Sequence, residues 1–251
     1  MASAMAVRIS GFLCGRVQLA QEERGHRVGL DAALLAAATP SATAGLILDL
    51  GAGVGAVGLC AARLAPKARI GLVEIAPETA ALARENIRLN DLEARARLYE
   101  ADFIGAANRR AVGLIDEAAA VVLTNPPFFE RSSVRVSPDP AKALAHVAGA
   151  PLADWTRAAL ALLAPGGTFA MIHRAEALSE CLSALDGRVG GLAVLPVHPR
   201  DGAAATRILI RGVKGSKAPL SLLPPLILHR SDGAYAPLAD AILRGVRPAP
   251  L

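Results

Sequence analysis

The chain has 251 residues, 53% of them hydrophobic, and a formal net charge of +5, enough apolar mass for a substantial core and too much for global disorder. Its three cysteines, Cys14, Cys60 and Cys181, are scattered without a CxxC pair, which argues against a disulfide framework or a thiolate zinc site and for a reducing, cytoplasmic setting. The charge is lopsided: residues 200–251 carry eight arginines and lysines against three aspartates, while residues 1–199 balance at 19 against 19, so a polyanionic partner and a plain solvated basic surface both stay open.

Residues 1–8 lack a basic stretch ahead of an unbroken apolar core, so no secretory signal is expected. Residues 8–29 scatter Gly11, Gly15, Gly25 and Gly29 among alternating polar and apolar residues and read as short strands or turns. Gly29 to Ala38 reads as a helix stopped by Pro40, with Asp31 as its N-cap or as a contact to a cofactor. The apolar stretch Ala32 to Leu48 is broken by Thr39-Pro40-Ser41 and Gly45, so no membrane span is expected.

Gly45 to Leu50 is a short buried strand that runs into Gly51-Ala52-Gly53-Val54-Gly55-Ala56-Val57-Gly58, a glycine turn opening a helix through Leu64. Such a turn lets backbone approach a ligand at a helix N-terminus. Residues 53–58 formally satisfy the dinucleotide fingerprint, with Glu74 at the distance of a ribose acid. Asp49 favours another reading. A carboxylate inside an otherwise apolar strand is costly to bury without compensation, and an acid two residues ahead of GxGxG resembles the S-adenosylmethionine turn of the common methyltransferase fold.

Arg69 to Glu74 is the second strand, Ile75 to Asn90 a helix, and Arg95 to Glu100 a third strand closed by Ala101-Asp102-Phe103. Three acids, Asp49, Glu74 and Asp102, thus end three successive strands beside one glycine turn. Ala118 to Leu123 forms the next buried strand. It ends at Thr124-Asn125-Pro126-Pro127-Phe128, where two prolines force the chain out of the sheet at the edge on which open α/β sheets bind ligands. Residues 130–150 read as a long polar loop whose Arg131, Arg135, Lys142 and His146 either meet a substrate backbone or simply face solvent.

Leu152 to Leu163 is an amphipathic helix stopped by Pro165-Gly166-Gly167. A strand (Thr168 to His173), a helix (Ala175 to Leu185) and two strands around residues 192–197 and 206–211 follow; the last two suit an antiparallel final pair on a parallel sheet, with Pro196 marking an edge. Residues 219–251 hold Pro224-Pro225, an apolar run at Leu226 to Leu228 and a short helix near Leu238–Leu243.

Asp49-Leu50-Gly51-Ala52-Gly53-Val54-Gly55 together with Asn125-Pro126-Pro127-Phe128 resembles the class I S-adenosylmethionine-dependent methyltransferases that modify exocyclic amines. Over nearly the whole chain the sequence is similar to the bacterial tRNA(Val) adenosine N6-methyltransferase family, through Gly25 to Ala36, Pro199-Arg200, Leu226 to His229 and Asp232 to Tyr235; Ala236-Pro237 departs from the more polar tail expected there. The resemblance implies a Rossmann-like seven-stranded α/β sheet, mostly parallel with the last strand antiparallel, and helices on both faces. It implies one domain: an N-terminal lid or substrate segment (about 1–44), a cofactor-binding core (about 45–213) and a basic extension (about 214–251).

It further implies S-adenosylmethionine as cofactor, held by Asp49, Gly51, Gly53, Gly55, Glu74 and Asp102, no metal, and an RNA partner, most simply tRNA. The chemistry asks for Asn125, Pro126, Pro127 and Phe128 as the acceptor half. An adenine N6 lone pair is delocalised into the ring, and the Asn125 side-chain oxygen and Pro126 carbonyl can accept from both amine hydrogens, while the prolines fix φ and Phe128 stacks on the base. The alternatives are a protein glutamine N5-methyltransferase, a non-catalytic RNA-binding protein that keeps the fold and, weakest, an NAD-dependent oxidoreductase.

Overall fold

Apolar runs of five or six residues, each ended by a glycine, an acid or a proline, build the centre of the fold. The computed structural model describes residues 7–23, 28–127 and 151–251. In chain order they form β1 (Val7–Phe12), β2 (Val17–Glu22), α1 (Leu30–Ala36), β3 (Leu46–Leu50), α2 (Ala56–Leu64), β4 (Arg69–Glu74), α3 (Pro77–Leu89), β5 (Ala96–Glu100), α4 (Ala106–Ala111) and β6 (Ala119–Thr124). Then come α5 (Leu152–Leu162), β7 (Leu163–Arg174), α6 (Leu178–Leu185), β8 (Val189–Arg200), β9 (Arg207–Lys214), β10 (Ser221–Leu222), β11 (Leu226–His229) and α7 (Pro237–Leu243).

The main sheet runs β5-β4-β3-β6-β7-β9-β8, the seven expected strands. All are parallel except β9, which is antiparallel to both β7 and β8. Two short strands not foreseen in the sequence, β10 and β11, add in parallel to the outer side of β8. Pro196 therefore does not lie on a bare edge. It stands opposite the interval between these strands, where Pro224 and Pro225 also lack an N–H, so no ladder bond is lost there.

Period-two alternation sends side chains to opposite faces of the sheet. Ile47, Leu72, Val121 and Leu123 pack on one face with residues of α1, α2 and α7. Leu48, Leu50, Val73 and Val122 pack on the other with residues of α5 and α6. The C-terminal residues belong to the first face: Ala239 and Ile242 are fully buried, and Ala249 N–H donates to the Ala37 carbonyl at 2.9 Å. Among the described residues, no helix is long and apolar enough to cross a membrane.

The β1–β2 hairpin is a separate two-stranded sheet, held to the core by two asparagines one helical turn apart, Asn86 in α3 and Asn90 at its C-cap. Asn86 and Asn90 each accept from and donate to one residue of β2, at Ala20 and Gln18 respectively, with bonds of 2.6–2.9 Å. Their amides thereby act as a substitute strand. Asn86 also donates to the Val54 carbonyl in the glycine turn at 2.9 Å. Asn86→Ala leaves these buried groups unpaired and is expected to cost about 2–4 kcal/mol of stability; a chemical-denaturation midpoint equal to wild type would refute that docking role.

Candidate active site

Asp49 lies on the α2 face of β3 and is 1% exposed. Helix α2 starts from Gly55, which has no side chain to cap it. Asp49 supplies the missing acceptor from the strand, taking the Gly58 N–H on Oδ2 at 2.8 Å. Burial pushes its carboxyl up to about 7; the Gly58 bond opposes that rise and the nearby Glu74 charge adds to it. Burial and the Asp49 charge also push the Cys60 thiol up to about 12, so it is an inert packing group.

The turn from Gly51 to Gly55 is fastened to β4: Gly51 and Ala52 N–H both donate to the Val73 carbonyl, at 3.0 and 2.9 Å. Gly55 has φ +89°, and a Cβ there would lie 2.8 Å from Leu72. Gly53, at φ +56°, is different: a Cβ would meet nothing within 4 Å. The turn thus packs inward at Gly55 and keeps an open face at Gly53, as backbone contact to a ligand requires.

Glu74 ends β4 beside this turn. Its Oε2 accepts from Gly53 N–H at 2.8 Å, and its Oε1 accepts from Ile75 and Ala76 N–H at 2.9 and 2.8 Å. It holds the turn as well as facing the site. Asp102, beyond β5, accepts from Ile104 N–H at 2.9 Å through Oδ1.

Asn125 and Pro126 follow β6. The β3–β6 register ends with Leu50 opposite Thr124, so Gly51 and Asn125 are the next residues past the ends of two adjacent strands. The Asn125 Oδ1 is buried and has no hydrogen-bond partner among the described residues. Pro126 is buried and Pro127 half-buried; Phe128 and residues 130–150 lie outside the described residues.

Two residues that the sequence reading missed join these halves. Thr124 Oγ1–H donates to the Leu50 carbonyl at 3.0 Å, and Trp155 Nε1–H donates to Thr124 Oγ1 at 2.8 Å. The fully buried Trp155 meets Phe103, next to Asp102, edge-on at 4.7 Å. A Cβ on Gly51 would lie 3.0 Å from the same indole. One side chain from α5 therefore touches the ends of β3, β5 and β6. A lone tryptophan in a chain with 3% aromatics was the available signal.

Asp31 is not the N-cap of α1. Gly29 is the N-cap of α1, without a side-chain cap bond. Asp31 sits inside the first turn and accepts from Arg207 Nε at 2.9 Å, tying α1 to the start of β9. The basic C-terminal segment is also not one surface. Because β9 runs antiparallel, Arg207 stands at the edge with the site and Lys214 at the opposite edge, where it pairs with Glu117 at 2.9 Å.

The family profile described as "Methyltransferase small domain" matches residues 26–193. A tRNA1(Val) (adenine(37)-N6)-methyltransferase of Aeromonas hydrophila is 31% identical over 235 residues, covering 91% of this chain and 93% of that one. A protein of the same name from Porphyromonas gingivalis is 29% identical, covering 90% of each. Among solved structures, a predicted O-methyltransferase of Agrobacterium tumefaciens is 35% identical with a TM-score of 0.72, covering 87% of this chain and 98% of that one. M. jannaschii TYW2, solved with AdoMet, shares the fold at a TM-score of 0.57 and 10% identity, covering 85% and 88%.

Proposed function

Because this chain belongs to the methyltransferase small-domain family, whose methyl donor is S-adenosylmethionine, we propose that it methylates the exocyclic N6 amine of an adenine in tRNA. The curated relatives are named for adenine 37 of tRNA1(Val), and that nucleotide is the first to test. A tRNA substrate implies work in the cytoplasm.

The observation that carries this reading is the unpaired, buried Oδ1 of Asn125 beside the glycine turn. A buried acceptor without a donor costs about 1–3 kcal/mol, a cost removed when an N–H arrives. An amine brings two hydrogens, matching Asn125 Oδ1 and the Pro126 carbonyl; a hydroxyl brings one, so oxygen methylation suits this pair less well. As the lone pair turns out of conjugation toward the methyl carbon, positive charge grows on nitrogen and both acceptors bind it more strongly. Pro126 and Pro127 hold the acceptors in place and Phe128 stacks on the base.

S-adenosylmethionine, when bound, supplies an electrophilic methyl group. The open face at Gly53 and the buried carboxylate of Asp49 suit a cationic nucleoside there. Gly51 and Gly55 shape the turn, and Asp102 offers its second oxygen to the adenine amine. Glu74 already takes three N–H donors; a carboxylate has about four acceptor positions, so one remains for a ribose hydroxyl. Residues 1–44 form the lid or substrate segment and residues 214–251 the basic extension of the core.

Transfer of labelled methyl groups to bulk tRNA, followed by nucleoside analysis, tests the assignment. N6-methyladenosine is expected; a labelled protein with unlabelled RNA would favour the glutamine alternative. The Trp155–Thr124–Leu50 link yields a second expectation. Thr124→Val removes both hydrogen bonds at the junction and is expected to slow transfer roughly 10–100-fold through misplacement of Asn125, whereas Thr124→Ser stays within a few-fold. Equal rates for the two variants in steady-state assays would sever that link from catalysis.

A further inference from the structure

We infer that the tip formed by the ends of β8 and β11, with Arg200 and the stacked rings of His229 and Tyr235, is a second contact for the RNA substrate, far from the methyl acceptor. This rests on the tRNA reading above.

The register locates the tip. Thr124 pairs with Met171, Met171 with Ile210 and Ile210 with Val194, so Val194 is level with the strand end that presents Asn125. Strand β8 continues from there to Arg200, about 20 Å further at ~3.3 Å per residue, and lies three strand spacings to the side, about 14 Å. Strand β11 accompanies it, with Leu226 opposite Val197 and His229 opposite Arg200. Both point past the same sheet edge as the site and form a wall beside it. A folded RNA seated with one base at Asn125 has to pass this wall.

The tip carries RNA-binding chemistry on a fixed base. The turn from Arg230 to Ala234 is closed by Arg230 N–H to the Ala234 carbonyl at 2.8 Å, Gly233 N–H to the Arg230 carbonyl at 3.0 Å and Ala234 N–H to Asp232 Oδ1 at 3.0 Å. It brings His229 and Tyr235 together as a bridge, with ring centroids 4.8 Å apart and planes at 24°. At 39% exposure, Tyr235 is the only exposed aromatic side chain among the described residues. An exposed ring already stacked on one side is a ready surface for an unpaired base on the other.

Arg200, its ladder neighbour, is exposed and has no ion pair among the described residues. Arg230, Arg207 and Arg174, on the same edge, are held by Asp232, Asp31 and Glu176 at 2.7, 2.9 and 3.2 Å. That leaves Arg200 able to take a phosphate beside the ring.

Steady-state methyl transfer by Tyr235→Ala, Tyr235→Phe and Arg200→Gln tests the contact on two substrates, full-length tRNA and a short hairpin containing only the target loop. With tRNA, Tyr235→Ala and Arg200→Gln are expected to raise KM about 5–20-fold, with kcat and S-adenosylmethionine affinity unchanged; Tyr235→Phe, which keeps the ring, stays near wild type. The short hairpin does not reach the tip, so its KM should be the same for all four proteins. An unchanged KM for tRNA in both damaging variants, with wild type active, overturns the contact alone. Wild type that methylates no tRNA overturns the substrate reading and the contact with it.

Discussion

Asn125→Ala is expected to slow methyl transfer by roughly 10²–10³-fold, the cost of removing one preorganised group from the site of developing charge. S-adenosylmethionine affinity should stay within about twofold, because the donor half is built on other strand ends. The substitution removes an acceptor that is buried without a partner among the described residues, so the folded protein loses nothing it was using. Its melting temperature should match or slightly exceed that of wild type. This separates the effect from Thr124→Val, which breaks bonds the resting structure makes. Single-turnover rates with saturating tRNA give the answer. An alanine variant within a few-fold of wild type would remove Asn125 from the chemistry and favour an RNA-binding role on a retained fold.

The parts of this protein that were legible in the sequence are those with local causes. Strand β4 could be read residue for residue because Arg69 to Glu74 is an apolar run between a turn and an acid, and the glycine turn needs only its own residues to be recognised. Asp31 misled because its neighbourhood is that of a helix start, whereas the group that claims its carboxylate, Arg207, lies 176 residues away. Asn86 and Asn90 look like ordinary polar positions on a helix; only the arrival of β2 makes them buried backbone partners. Trp155 stands out only as a lone tryptophan, and its link to Thr124 exists only once α5 packs on the sheet. Pro196 signals a missing N–H, but sequence could not say whether a bare edge or a gap between two added strands accommodates it.

Asp49 sets the last expectation, a cofactor affinity that weakens as pH falls. Its carboxyl rises from 3.8 to about 7 because burial disfavours the charged form. A carboxyl raised on folding stabilises the protein fully below its unfolded value and loses that contribution as pH climbs through its folded one. In the cofactor-free protein the loss amounts to ~4 kcal/mol between about pH 4 and pH 7. A cation seated over the turn reverses the balance, since it favours the charged carboxylate. Below about pH 7, binding must therefore expel a proton, and S-adenosylmethionine affinity should fall by up to about tenfold per pH unit. Calorimetric titration between pH 5.5 and 7 covers the range while the cofactor's α-amino group stays protonated. Asp49→Asn keeps an acceptor for Gly58 N–H but has no charge to gain, so it should bind more weakly at pH 7 and with a flatter profile. All other titratable groups are common to both proteins, and the difference between the two profiles isolates Asp49. Parallel profiles would mean that this carboxylate caps α2 and does nothing for the cofactor.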